Sequence, residues 1–411
     1  MSLSESQNLL DLLQLPKKRA LELIKPITQP PVSNVELIER FARVCMSVMT
    51  EPGDSVAGQL VQKVGAVSTL TMLASKADVR DYWREYATRA ELEGNQIEQA
   101  MQRWIPRFEL ASLRRSLEAM SRFEMRCITP NDDEWPTGLE YLGPHAPLVL
   151  YAQGKNLNFL NQSIALVGSR AISPYGRWVS KEFAEQLVQS DYAVVSGGAF
   201  GVDAVAHQAT LNCGGLTVAV MAGGLDRYYP AGNEPLLRTI AEQGAICSEV
   251  APGVTPTKWR FLQRNRLIAA ISQATVVIEA GYRSGSINTA KHAGEIGRLV
   301  AAVPGSIASA SSAGCHRLIA ESKATLVTSA AEVLKLLNPG LDNSPAPQSM
   351  TDEQLRVYDA LGARGGDENA VAKRSGLSMA QVCVALAQLE LEEYVVRHEQ
   401  KWMKSGRNLN V

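Results

Sequence analysis

Hydrophobic positions along the chain follow two rhythms. Through about residue 120 they recur at helical spacing. Residues 34–49 carry Val35, Leu37, Ile38, Phe41, Ala42, Val44 and Cys45 in that pattern. Residues 60–64 and 67–73 read as further short helices. Residues 78–113 are charged and periodic with thin apolar faces, so helices there are expected to lean on one another or on a partner. From about Asn161 the rhythm changes to short β-branched runs alternating with amphipathic stretches. The runs predict strands at 164–167, 193–196, 217–221, 245–249, 275–279, 299–303 and 324–327. Helices are expected between them, for example at 177–189, 203–211 and 287–296. Buried strands alternating with helices predict an α/β fold, an extended Rossmann-like doubly wound parallel sheet.

Two polar stretches punctuate this pattern. The run Thr129-Pro130-Asn131-Asp132-Asp133-Glu134-Trp135-Pro136 reads as an entry loop. Residues 338–350 hold three prolines among small polar residues and read as a linker. Beyond it, residues 352–361, 368–374 and 378–390 predict three helices, with Ser378 as N-cap of the third. Tyr394-Val395-Val396 and Lys401-Trp402-Met403 are placed to pair as a wing. The expected domains are a helical region 1–120, a Rossmann-like domain 121–337, the linker and a winged-helix-like domain 351–411.

Composition narrows the function classes. Lys and Arg number 41 against 42 Asp and Glu, a formal charge of −1, so nucleic-acid binding must come from a local patch. A hydrophobic content of 45% is ordinary for a globular chain with real cores. No apolar run approaches the roughly 18 residues of a membrane span. The apolar patch from Leu9 to Leu15 is broken by Asp11 and Gln14 and lacks a basic start, so no secretory signal and a cytoplasmic location are expected. Six cysteines and five histidines are dispersed without metal-ligand spacing. The cysteines read as buried, reduced thiols, and no metal site is expected.

Four segments carry candidate chemistry. Val167-Gly168-Ser169-Arg170 follows the first strand of the α/β pattern, where sheets of this kind bind ligands. Glycine there admits a phosphate close to backbone N–H groups, although Gly-Ser also makes a plain tight turn. Ser196-Gly197-Gly198-Ala199-Phe200-Gly201-Val202-Asp203 follows the second strand. Its glycines imply a tight turn or a ligand contact, with Asp203 a helix cap and His207 a packed helix residue. Gly223-Gly224-Leu225-Asp226 follows the third, where a turn is the simpler reading. Most informative is Lys258-Trp259-Arg260-Phe261-Leu262-Gln263-Arg264-Asn265-Arg266, with four cations and two aromatics in nine residues. Arg283-Ser284-Gly285-Ser286 then opens a helix with small donors. Between Thr255 and Arg298 seven Lys/Arg face two Asp/Glu. Cations, interleaved rings and N–H-rich loops suit a single-stranded nucleic-acid backbone. Neither Gly-x-Ser-x-Gly nor a Walker A lysine motif is present, so an enzyme is not expected.

Residues 164–170, 196–207, Leu225-Asp226-Arg227-Tyr228-Tyr229-Pro230, Arg264-Asn265-Arg266-Leu267-Ile268-Ala269, Arg283-Ser284-Gly285-Ser286 and Val303-Pro304-Gly305-Ser306 closely resemble, in order, the DprA/Smf family of DNA-processing proteins. The resemblance covers roughly residues 121–340. It implies a dimeric protein of natural transformation and recombination, without a required cofactor. It further implies that single-stranded DNA is protected and that the RecA recombinase is loaded onto it past single-strand-binding protein. By motif position it implies DNA contacts at Gly168, Ser169, Arg170, Ser196, Gly197, Gly198 and Gly201, at Arg264, Asn265 and Arg266, and at Ser284, Gly285 and Ser286. Lys258, Arg260 and Arg283 join these as cations of the same segments. Many members carry an arginine where this chain has Phe200, which is then expected to stack on a base or to weaken binding.

Two other readings remain in view. A nucleotide or nucleoside-phosphate hydrolase of the lysine-decarboxylase-like Rossmann family would use similar glycine loops. Its Pro-Gly-Gly-x-Gly-Thr-x-x-Glu signature is missing, and Thr289 stands where a glutamate would serve as base. A nucleotide sensor reading duplex DNA through the winged helix fits poorly with eight Lys/Arg against nine Asp/Glu from Thr351 to Val411. That domain is expected to contact protein instead. The turn Glu51-Pro52-Gly53-Asp54 weakly suggests a DNA-binding hairpin and more simply a plain turn.

Overall fold

The computed structural model describes residues 3–28, 32–75, 80–338, 350–362, 365–398 and 401–405. The chain divides into two compact units, Met1–Pro339 and Gly340–Val411. Among the described residues of the first unit, eight α-helices come before the sheet. They are α1 (Leu3–Leu12), α2 (Lys17–Ile24), α3 (Asn34–Met49) and α4 (Ser55–Val64), followed by α5 (Ala66–Ala74), α6 (Arg80–Arg89), α7 (Gly94–Trp104) and α8 (Leu110–Arg122). A capping box at Ser33 and Glu36 starts α3. Gly65, at φ 97°, ends α4 and lets α5 leave in a new direction. Their shared core includes Leu37, Phe41, Leu60, Leu70, Trp104 and Leu117.

The sheet has nine strands: β1 (Arg126–Ile128), β2 (Leu150–Gly154), β3 (Ser163–Gly168), β4 (Ala193–Ser196), β5 (Thr217–Met221), β6 (Ala245–Ser248), β7 (Ala274–Glu279), β8 (Leu299–Ala302) and β9 (Thr325–Leu326). Their order is β1-β2-β6-β5-β4-β3-β7-β8-β9. The seven strands expected from the sequence are β3 to β9, all parallel to one another. β1 and β2 were not expected. They extend the sheet antiparallel beyond β6, with Tyr151 opposite Ser248. Their signal is weak because β1 has only three residues and β2 ends Ala-Gln-Gly.

Seven helices accompany the strands: α9 (Pro174–Gln189), α10 (Val202–Asn212), α11 (Glu234–Gln243), α12 (Lys258–Ile271), α13 (Gly285–Glu295), α14 (Ala313–Ala320) and α15 (Ala330–Leu337). Side chains alternate across the sheet. Ile164, Leu166, Val194, Val276 and Ile278 pack with α9, α10 and α15. Ala165, Val167, Val195, Val220 and Val277 pack on the other face with α12, α13 and α14. The core of the N-terminal helices continues into the sheet through Tyr151 and Ile246 and onto α11 through Leu237 and Ile240. The compositional change near residue 120 is therefore not a break in packing. The loop 129–136 is pinned the same way. Buried Arg40 on α3 pairs with Asp132 and donates to the Cys127 carbonyl at 3.0 Å.

The second unit comprises α16 (Asp352–Ala360), α17 (Glu368–Ser375), α18 (Met379–Leu391) and the hairpin β10 (Val395–His398) with β11 (Lys401–Lys404). Gly376, at φ 69°, ends α17, and Ser378 caps α18. Val357, Leu361, Val371, Leu386, Leu389 and Trp402 fill its own core. Of the linker expected at 338–350, residues 339–349 lie outside the described residues, as does Asp78 of the charged region. Not all thiols are buried as expected: Cys213 and Cys383 are exposed. No described helix is long and apolar enough to cross a membrane.

Candidate nucleic-acid interface

The chain direction around the sheet reverses at β3, whose neighbours are β4 and β7. A crevice must open there beyond the carboxyl ends of the strands, because connections leave in opposite directions. The structure has a groove of about 690 Å³ at this point. Gly168, Ser169 and Arg170 form one wall at the end of β3. Lys258, Phe261, Leu262, Arg264 and Asn265 on α12 form another. Arg283, Ser284, Gly285 and Ser286 close it at the start of α13.

Each wall has a local cause. Gly168 lies so close to α10 that a Cβ would sit 2.5 Å from Val202 Cγ2. The Ser169 N–H donates to the Glu279 carbonyl at 2.7 Å, and the Ser169 carbonyl accepts from the Val202 N–H at 3.1 Å. Ser284 caps α13 by accepting from the Ser286 N–H, and the two hydroxyls lie 2.8 Å apart. Asn265 steadies that turn by donating to the Gly285 carbonyl at 3.3 Å and to Asn288 Oδ1 at 3.2 Å. The helix start thus presents small polar groups and the positive end of the α13 dipole to the groove.

Four cations line the groove, Arg170, Lys258, Arg264 and Arg283, against one carboxylate, Asp203. Arg264 is only 6% exposed. Its Nη1 donates to the Gly197 carbonyl at 2.8 Å and also to the Val220 carbonyl. Burial pulls its pKa down to about 10, against the opposing attraction of Asp203. Asp203 Oδ2 accepts from the N–H groups of Gly197 and Ala199 at 3.1 and 3.4 Å. Burial raises the Asp203 pKa, and Arg264 and these hydrogen bonds oppose the shift. Rings complete the lining. Tyr229 and Phe261 lie with centroids 5.7 Å apart, and the Arg170 guanidinium sits 5.0 Å from the Phe261 centroid. Tyr229 is 49% exposed, so a ring face remains open to a flat ligand.

The structure separates the expected contacts into two sets. Gly168, Ser169, Arg170, Lys258, Arg264, Asn265, Arg283, Ser284, Gly285 and Ser286 line the groove. Ser196 does not: it is fully buried, and its hydroxyl donates to the Leu166 carbonyl at 2.6 Å. Gly197 and Gly198 are buried, their carbonyls taken by Arg264 and by Asn233 Nδ2. Gly201, at φ 83°, packs against Ser169 and Arg170. This loop therefore builds the groove wall from behind, and Ala199 is its member at the surface of the groove. Phe200 is 48% exposed outside the groove, with its ring against Gly232. Arg260 and Arg266 also turn away. Arg260 pairs with Glu51, and Arg266, 3% exposed, pairs with Glu249.

Thr257 and Pro256 line the groove and were missed, although a Thr before a helix is a readable N-cap, and Thr257 does accept from the Arg260 N–H. Thr289 lines the groove where a hydrolase would need its glutamate. The turn Glu51-Pro52-Gly53-Asp54 is held within the fold as a structural turn. The Gly53 N–H donates to Glu249, and Asp54 caps α4. His207 packs in the core, with Nδ1 2.7 Å from the Thr217 hydroxyl. No cluster of three or more metal-ligating side chains occurs among the described residues.

Comparison with known proteins agrees with this architecture. Residues 126–338 match the family model described as DNA recombination-mediator protein A. Residues 342–401 match the DprA winged helix domain. A putative DNA processing protein DprA of Mycobacterium tuberculosis is 43% identical over 308 residues, covering 70% of this chain and 78% of that protein. Protein Smf of Escherichia coli is 36% identical over 283 residues, covering 65% and 75%. The X-ray structure of DNA processing protein A from Streptococcus pneumoniae superposes with a TM-score of 0.56 at 32% identity, covering 74% of this chain and 98% of that one.

Proposed function

Because the chain belongs to the DNA recombination-mediator protein A family, we propose that it binds single-stranded DNA in the groove between β3 and β7 and acts there as a recombination mediator. In this reading it protects the strand and loads RecA onto it past single-strand-binding protein, working as a homodimer. One observation carries the proposal: a groove at the switch point lined by four cations against one carboxylate, with the Tyr229–Phe261 ring pair within it. Phosphates would meet Arg170, Lys258, Arg283 and the start of α13, and bases would stack on the rings. A duplex keeps its bases paired and unavailable to those rings.

The test is fluorescence anisotropy of the full chain with a labelled dT oligonucleotide and its duplex counterpart at two salt concentrations. The proposal expects preference for the single strand, weakening as salt rises. Equal or stronger duplex binding would overturn it. Strand-exchange assays with RecA and single-strand-binding protein then test loading.

A further inference from the structure

Helix α12 has two working faces. Lys258, Phe261, Leu262, Asn265 and Ile268 face the groove. Arg260, Gln263 and Arg266 lie on the other side, against the turn between α3 and α4. Arg260 donates twice to Glu51, at 2.9 and 3.1 Å, and once to the Thr255 carbonyl at 2.8 Å. Arg107 approaches the same Glu51 carboxylate to 2.8 Å. Arg266 donates to Glu249 Oε1 at 2.8 Å, and that oxygen also accepts the Gly53 N–H at 3.1 Å. Gly53, at φ 76°, approaches so closely that a Cβ would lie 2.8 Å from Gln263 Oε1. The turn is thus fitted to the back of α12.

The first turn of a helix is its least constrained part, since its N–H groups lack intrahelical partners. Lys258 and Phe261 enter the groove from that turn. A two-point arginine–carboxylate pair fixes orientation as well as distance. We propose that Glu51 is a positioning residue for the single-strand groove: by seating Arg260 it sets the rotation of the first turn of α12, and the N-terminal helical region thereby braces the DNA site. The inference rests on the single-strand reading above. It also gives Arg260 a role through Glu51 in place of a phosphate contact.

The sign of one substitution separates this from simple electrostatics. Removing a carboxylate near a DNA site strengthens binding if charge alone matters. The brace predicts the reverse. Glu51→Ala should raise the Kd for a dT oligonucleotide about three- to tenfold, within the range of coupled contacts. Arg260→Ala should do the same, and the double variant should be no worse than the weaker single. The slope of log K against log salt should stay that of the unaltered chain, whereas losing a phosphate contact lowers it by roughly 0.7. Glu51→Gln, which keeps an acceptor for Arg260, should recover part of the loss and guards against a misfolded alanine variant. Unchanged or tighter binding by Glu51→Ala, or a flattened slope for Arg260→Ala, overturns the proposal. Hydrogen exchange provides a reading independent of DNA: the amides of Arg260 and Phe261, which donate to the Thr257 hydroxyl and carbonyl, should exchange faster in Glu51→Ala. If the unaltered chain binds no oligonucleotide, the single-strand reading fails by itself. Unchanged exchange at those amides would overturn the brace.

Discussion

Arg264, Arg266 and Arg283 sit in cation-rich segments, yet they differ in what holds them. Arg283 is exposed at the groove. Arg283→Ala should leave stability within about 0.5 kcal/mol and lower the salt slope of single-strand binding by roughly 0.7. Urea unfolding and anisotropy read the two effects. Arg266→Ala removes the partner of Glu249, whose Oε2 already lacks a protein partner. The buried carboxylate keeps the Gly53 N–H but loses its cation, so a loss of about 3–5 kcal/mol is expected in urea unfolding. His207 supplies a pH prediction. Burial, and then the nearby charge of Arg264, pushes its pKa down to about 3. The unfolded chain, with a pKa near 6.5, binds a proton that the folded chain refuses. Its contribution to stability is complete above about pH 6.5 and is lost as pH falls toward about 3. His207→Asn should flatten stability against pH between about 6 and 4 by up to ~1.4 kcal/mol per pH unit. Parallel curves for the two proteins would contradict this.

At the scale of elements, the loops after β3 and β4 act as one wall. Gly201 holds them together, since a Cβ there would lie 2.1 Å from the Ser169 carbonyl oxygen and the backbone is at φ 83°. Gly201→Ala should cost about 1–3 kcal/mol and weaken single-strand binding, as read by unfolding and anisotropy on the same samples. Strands β3 to β9 and helices α9, α10 and α13 were legible because apolar strand runs and helical periodicity are strong local signals. The turn at Gly168 and the helix start at Ser284 were legible from their places after a strand and before a helix. The direction of α12's cations was not: at positions 258, 260, 264 and 266 they cannot all share one helix face, and which of them meet the groove depends on partners from other elements. Arg260 and Arg266 flank Gln263 on the face away from Lys258 and Asn265, and tertiary partners at Glu51 and Glu249 claim them. Nor could the sequence show that Ser196 and Gly197 support the wall from within, since that depends on Arg264 reaching Gly197 from another element.

At the scale of the whole molecule, the winged-helix unit raises the question of which nucleic acid, if any, it meets. In winged-helix folds the third helix is the one that would enter a major groove. Here that helix is α18. Its exposed positions Met379, Ala380, Gln381, Cys383, Val384, Ala387 and Gln388 carry no charge, and Glu390 adds a negative one. Duplex affinity comes chiefly from neutralised phosphates, and the cations of this unit lie mostly elsewhere, as with Arg397, Lys401 and Lys404 on the hairpin. The groove proposed for the single strand is built wholly within the first unit. A chain ending at Asn338 should therefore keep single-strand affinity within about twofold and keep its salt slope, because no phosphate contact of the groove is removed. The second unit has its own core and should bind duplex no tighter than about 1 μM at physiological salt. Tight, salt-steep duplex binding by that unit would make it a DNA reader. Weak binding, with the single strand retained by the shorter chain, would leave the uncharged face of α18 as a surface for protein.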